Sequence, residues 1–183
     1  MPASICSFWG GCLFLLLPLA TPPTAAETFS EPTNTVLWIS LDGFRPDYLE
    51  KAETPFLNEM LKKSAWTDDL WPVFPSVTFP SHVSIATGTY PQEHGIVGNT
   101  FYDLETDELH RFPNSSELLE AEPIWITAER QDVRTAVFGW PLSYAQTGDI
   151  TATYCAVTFD GSLTDKERLE QTAEIFETNQ SLR

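Results

Sequence analysis

Apolar and polar positions along this 183-residue chain change period from segment to segment, and each change predicts an element. Residues 36–41, Val-Leu-Trp-Ile-Ser-Leu, form an apolar run that stops at Asp42-Gly43, as a buried strand does on reaching the edge of a sheet. A helix is predicted over 55–64, with Thr54 as its cap, Pro55 in the first helical position, and Leu57, Met60 and Leu61 on one face. Residues 66–73 read as strand, 80–87 and 123–131 as helix, and 134–138 as strand. The last helix is opened by the capping box Thr164-Asp-Lys-Glu167, and it aligns Leu169, Ala173 and Phe176. Alternation of strand and helix predicts an α/β fold, a mainly parallel sheet with helices on both faces.

Composition adds a second layer to this pattern. Residues 1–26 hold no charged side chain, and their apolar core, 12–20, is about half as long as a bilayer-spanning helix requires. Followed by the small residues Thr24-Ala-Ala26, this reads as a secretory signal peptide, with 27–34 as linker and 35–183 as one domain. The absence of Lys or Arg in its first residues leaves a membrane anchor or a misassigned start as the alternative. No stable membrane span is predicted, and the expected location is periplasmic or extracellular. Cys6 and Cys12 fall in the leader, so the mature chain keeps only Cys155, which suits a packed small hydrophobe and excludes an internal disulfide. A formal charge of -16 argues against binding polymeric nucleic acid, whose phosphates it would repel, but not against a small anion at a site where bound metals reverse the local sign.

The candidate chemistry lies at two of the predicted element ends. Asp42 is a carboxylate delivered by a strand, the usual source of a metal ligand in an α/β sheet. Thr78 stands just ahead of Pro80, at a helix mouth where free N–H groups and the positive end of the dipole face a bound anion. A hydroxyl there can attack phosphorus when a divalent metal lowers its pKa. Each residue also has a plainer reading, Asp42 as half of an Asp-Gly turn and Thr78 as an ordinary N-terminal cap.

Longer pieces of the chain carry a resemblance. Val36-Leu-Trp-Ile-Ser-Leu-Asp-Gly-Phe-Arg-Pro-Asp-Tyr48, Thr54-Pro-Phe-Leu57, Phe74-Pro-Ser-Val-Thr-Phe-Pro-Ser-His82 and Thr87-Gly-Thr-Tyr-Pro-Gln-Glu-His-Gly-Ile-Val-Gly-Asn-Thr-Phe-Tyr-Asp103 occur in the order found in the nucleotide pyrophosphatase/phosphodiesterase family of the alkaline phosphatase superfamily. The likeness continues through Glu122-Pro-Ile-Trp-Ile-Thr-Ala-Glu129 and Ala136-Val-Phe-Gly-Trp-Pro141. It implies an alkaline-phosphatase-like fold and hydrolysis of phosphodiester or pyrophosphate bonds in nucleotide-type substrates through a phosphothreonine on Thr78. It also implies two divalent metal ions, zinc foremost, with Asp42 and Thr78 among their ligands.

By the same resemblance Asn99 holds a non-bridging phosphate oxygen through its amide, with a turn residue as the plainer reading. Phe79 packs on the leaving nucleoside, with core packing as its rival, and Phe159 stacks on a base. His82 and His94 match no metal position and are expected to bond loop backbone around the site. Ser81 departs from the family's commoner Asn. The sequons at Asn114 and Asn179 matter only where the host glycosylates. The family's later Asp and His motifs do not occur before Arg183, so the chain reads as the N-terminal part of a longer enzyme and is expected to be inactive alone. A phosphomonoesterase, a lipid-headgroup phosphodiesterase and an inactive exported module remain as alternatives, and the sequence leaves the oligomeric state open.

Overall fold

The computed structural model describes residues 35–113, 115–155 and 161–179, all within the second of two units, Asn34–Arg183. The expected leader and linker, Asn114 and Phe159 lie outside the described residues. The elements are α1 (Tyr48–Lys51), α2 (Pro55–Leu61), α3 (Thr78–Thr87), α4 (Pro91–His94), β1 (Thr100–Asp103), β2 (Glu108–Arg111), α5 (Ile124–Glu129), β3 (Ala136–Val137), β4 (Tyr154–Cys155) and α6 (Asp165–Thr178). Strands β1 and β2 form an antiparallel hairpin in the register Thr100 to Arg111 and Phe101 to His110, whereas β3 and β4 run parallel with Ala136 beside Tyr154.

The sheet is smaller than the sequence pattern predicts. Residues 36–41 and 66–73 pair with no strand among the described residues. A run that is apolar on both faces becomes a sheet strand only when neighbours take its N–H and C=O groups, and the described residues supply none. Residues 134–138 shorten to β3 for the same reason, since β4 offers only two partners. The hairpin β1–β2 was absent from the predicted elements because its positions alternate weakly and both strands stay largely exposed.

Helices follow the sequence more closely. Thr54 occupies the cap of α2 with Pro55 at its start, although the threonine side chain makes no capping bond. The capping box of α6 forms as expected: Thr164 Oγ1 accepts from Glu167 N at 3.3 Å and Glu167 Oε2 accepts from Thr164 N at 2.8 Å. Its aligned Leu169 and Phe176 remain exposed, so α6 buries no residue here.

Helix α3 begins two residues earlier than expected, at Thr78. Pro80 is tolerated there because its missing N–H falls within the first turn. The helix stops at Gly88, whose φ of 70° closes the last turn through Gly88 N to Ser84 O at 2.8 Å.

Helix α3 contributes to two apolar clusters, one of Ala86, Trp125, Ile126, Val137, Ala145 and Ala152, the other of Val83, Ile96 and Leu142. Cys155 packs against the first, as a small hydrophobe should. Glu129 ties α5 to the parallel pair, its Oε1 accepting from the N–H and hydroxyl of both Thr135 and Thr153 at 2.7–2.8 Å. Burial pushes its carboxyl up, but the bonds from Thr135 and Thr153 outweigh that effect and hold it below the usual carboxylate range.

Candidate active site

Asp42 and Thr78, 36 residues apart, meet at the N-terminus of α3, where Thr78 Oγ1 donates to Asp42 Oδ2 at 3.0 Å on the exposed surface. Asp42 is also the turn residue of its plainer reading: Phe44 N bonds Leu41 O at 3.2 Å, and Gly43 takes a φ of 69° that glycine alone adopts without strain. The turn aims the carboxylate at the helix, so the two readings coincide. Thr78 is not the helix cap. Val77 holds that position and Thr78 the first helical one, which leaves its hydroxyl to the carboxylate.

The helix mouth is less open to an anion than expected. Phe79 N donates to Asn99 Oδ1 at 2.9 Å, Pro80 has no N–H, and Ser81 N bonds Val77 O at 3.1 Å. Because an N–H is received by the carbonyl end of an amide, Asn99 keeps its Nδ2 group as the donor end. The half-buried Phe79 packs against the cluster of Val83, Ile96 and Leu142 and lies 5.9 Å from the Phe112 ring.

Both histidines are structural in their contacts. His82 Nδ1 lies 2.8 Å from Thr78 O, which can only accept, so Nδ1 carries the proton and Nε2 accepts from Ser40 Oγ at 2.9 Å. His94 Nδ1 accepts from Ile96 N at 3.1 Å, leaving Nε2–H to donate to Ser84 Oγ at 2.9 Å. Burial pushes the His94 imidazole below its ordinary pKa, so it is held neutral.

Ser40 and Trp140 were not singled out by the sequence. Trp140 Nε1 donates to His82 O at 3.0 Å, and its ring packs 5.2 Å from His82 and 5.7 Å from Trp38. The only sequence signal for Ser40 is a polar residue interrupting an apolar run two positions before Asp42.

Asp42 and Thr78 supply two oxygen donors 3.0 Å apart, a hard pair that fits a divalent cation as part of a coordination shell. Among the described residues no three His, Cys, Asp or Glu side chains come together as a metal site, and no helix is long and apolar enough to cross a membrane.

The model of the type I phosphodiesterase/nucleotide pyrophosphatase family matches residues 36–182. An uncharacterized pyrophosphatase/phosphodiesterase of Schizosaccharomyces pombe is 40% identical over 158 residues, covering 79% of this chain and 32% of that protein. Ectonucleotide pyrophosphatase/phosphodiesterase family member 1 of Rattus norvegicus is 34% identical over 154 residues, covering 81% of this chain and 17% of its own length. Among solved structures, an inactive threonine-to-alanine form of murine ectonucleotide pyrophosphatase/phosphodiesterase 5 in complex with AMP superposes with a TM-score of 0.68 at 29% identity, covering 77% of this chain and 38% of that one. The chain thus spans about a third or less of the length of these two curated relatives.

Proposed function

Because the chain belongs to the type I phosphodiesterase/nucleotide pyrophosphatase family, with the alkaline-phosphatase-like fold of its solved neighbours, we propose that it carries the nucleophile side of a site that hydrolyses phosphodiester or pyrophosphate bonds in small nucleotide-type substrates. The observation that carries this reading is the 3.0 Å bond from Thr78 Oγ1 to Asp42 Oδ2 at the start of a ten-residue helix. Names of relatives support the substrate class, as does the AMP bound to the murine protein inactivated at a threonine.

In the proposed reaction Asp42 holds the Thr78 proton and turns the oxygen's lone pairs outward. Thr78 Oγ1 then gives up its proton to water and forms a bond to phosphorus in line with the P–O bond that breaks, the leaving group departs with its oxygen and the bonding pair and takes up a proton, and phosphothreonine remains. Asn99 donates its Nδ2 hydrogens to a non-bridging oxygen, a neutral donor suited to a diester with one negative charge. The oxygen of a water molecule then bonds to phosphorus as the P–Oγ1 bond breaks, a proton from that water returns to Oγ1, and the phosphate monoester departs. Two divalent ions, zinc by preference, would be held in part by Asp42 and Thr78, and they would supply Lewis-acid lowering of the hydroxyl pKa and neutralisation of phosphate charge. Phe79 is assigned packing on the leaving nucleoside and Phe159 the base-stacking role.

Residues 1–26 are proposed as an export signal, 27–34 as linker and 35–183 as part of the catalytic domain, placing the protein outside the cytoplasm. The name of the rat ectoenzyme agrees with that location.

Substitution of Thr78 in the full-length protein tests the reading. Thr78→Ala is expected to abolish turnover and to yield no phosphoprotein on acid quench, whereas Thr78→Ser retains substantial activity and traps phosphoserine. Since Val77 holds the cap position, neither change should cost the roughly 1 kcal/mol of a lost cap. Normal turnover by the alanine variant would place the nucleophile elsewhere.

A further inference from the structure

Three alternate residues of one segment, Trp38, Ser40 and Asp42, each contact a different partner. Trp38 packs on Trp140, Ser40 Oγ donates to His82 Nε2 at 2.9 Å, and Asp42 receives Thr78 Oγ1 at 3.0 Å. A spacing of two is the period at which an extended chain presents one face, and Thr78 and His82, four apart, share one face of α3. The Ser40 and Asp42 contacts therefore form two successive rungs between the segment and the helix, and Trp38 continues the same face onto Trp140, which itself packs on His82. A slip of one residue would turn Asp42 to the opposite face.

We propose that Ser40 and His82 form a positioning pair that sets this register and so holds the Asp42 carboxylate against the Thr78 hydroxyl. The inference rests on the reading of Thr78 as nucleophile. His82 suits the task because both ring nitrogens are committed: Nε2 to the segment that carries Asp42 and Nδ1 to the carbonyl of Thr78 itself. Trp140 locks the arrangement from behind, donating to His82 O at 3.0 Å and packing its ring edge to face against the imidazole, which is 8% exposed. Neither Ser40 nor His82 needs to touch substrate. Their contribution is the geometry of a nucleophile whose misplacement by about 1 Å can cost up to a hundredfold in rate.

The test uses the full-length protein and a chromogenic nucleotide diester. Ser40→Ala removes one exposed hydroxyl and leaves no cavity, so folding should persist. Its kcat is expected to fall between about tenfold and a hundredfold, with KM within about twofold of wild type. Ser40→Thr, which keeps the hydroxyl, should recover most of the loss. His82→Asn retains a donor for Thr78 O but drops the link to Ser40, and adding Ser40→Ala to it should cost nothing more, as coupled partners require. Should His82→Asn fail to fold, the Ser40 pair of variants decides by itself. Wild-type kcat in Ser40→Ala, or an equal loss in Ser40→Thr, would overturn the proposal. An active Thr78→Ala would instead remove the reading beneath it, so the two failures are told apart.

Discussion

His94 shows how far a single buried side chain can make the protein sensitive to acid. Its ring is 0% exposed, Nδ1 accepts from Ile96 N–H, and burial holds its pKa below the ordinary value. Protonation would set two donors against each other at Nδ1. A lowered folded pKa means that the unfolded chain binds the proton first, so the neutral-state stability is complete above about pH 6.5 and declines as pH falls toward the folded value. Denaturant titrations of wild type and His94→Gln should show a slope below about pH 6.5 in the first that is reduced in the second, at a neutral-pH cost of roughly 1–3 kcal/mol for the bonds lost. Equal slopes would mean that another group controls acid stability. The pairing of Asp42 with Thr78 was legible in the sequence because family motifs mark both residues. The work of Glu129, Ser40 and Trp140 was not, since their partners stand 24, 42 and 58 residues away and no local pattern connects them.

Among the elements, those whose determinants are local were the easiest to read. Helix α3 and the capping box of α6 depend on neighbours within four residues, and both form close to their expected bounds. The 36–41 and 66–73 strands depend on partners across a sheet, and the pattern that marks them as buried says nothing about where those partners are. Helix α6 permits a test of purely local stability because it buries no residue. Thr164→Ala removes the acceptor for Glu167 N and the donor to Glu167 Oε2. The expected cost is about 1 kcal/mol, confined to the helix. Amide exchange in the first turns of α6 should therefore accelerate several-fold while the global unfolding midpoint stays in place. A fall in the midpoint with unchanged local exchange would show that α6 is coupled to the core after all. Glu167 itself is held below the usual carboxylate range by its bonds from the Thr164 N–H and hydroxyl, so the same turn should fray as pH falls through that lowered value.

At the scale of the whole molecule, the balance of buried and exposed apolar surface governs what these 183 residues do by themselves. The two clusters bury Ile96, Ile126, Trp125 and a few smaller neighbours, while Val36, Trp71 and Phe74 are 90%, 82% and 91% exposed. Leu37, Ile39 and Leu41 extend the exposed apolar run to the edge of the site. Soluble monomers rarely leave contiguous apolar patches beyond a few hundred Å² facing water, so the 183-residue polypeptide made alone is expected to bind an apolar dye and to self-associate despite its charge of -16. Among the described residues Asp42 and Thr78 offer two oxygen donors and no three His, Cys, Asp or Glu side chains come together, where two ions need about six protein ligands, so the same polypeptide is expected to show no diesterase turnover. Light scattering, dye fluorescence and metal analysis on the purified polypeptide check all of this together. A dye-silent monomer with one cooperative unfolding transition and two bound zinc ions per chain would show instead that the described clusters suffice as a core, and that metal ligands come from residues not recognised in this chain.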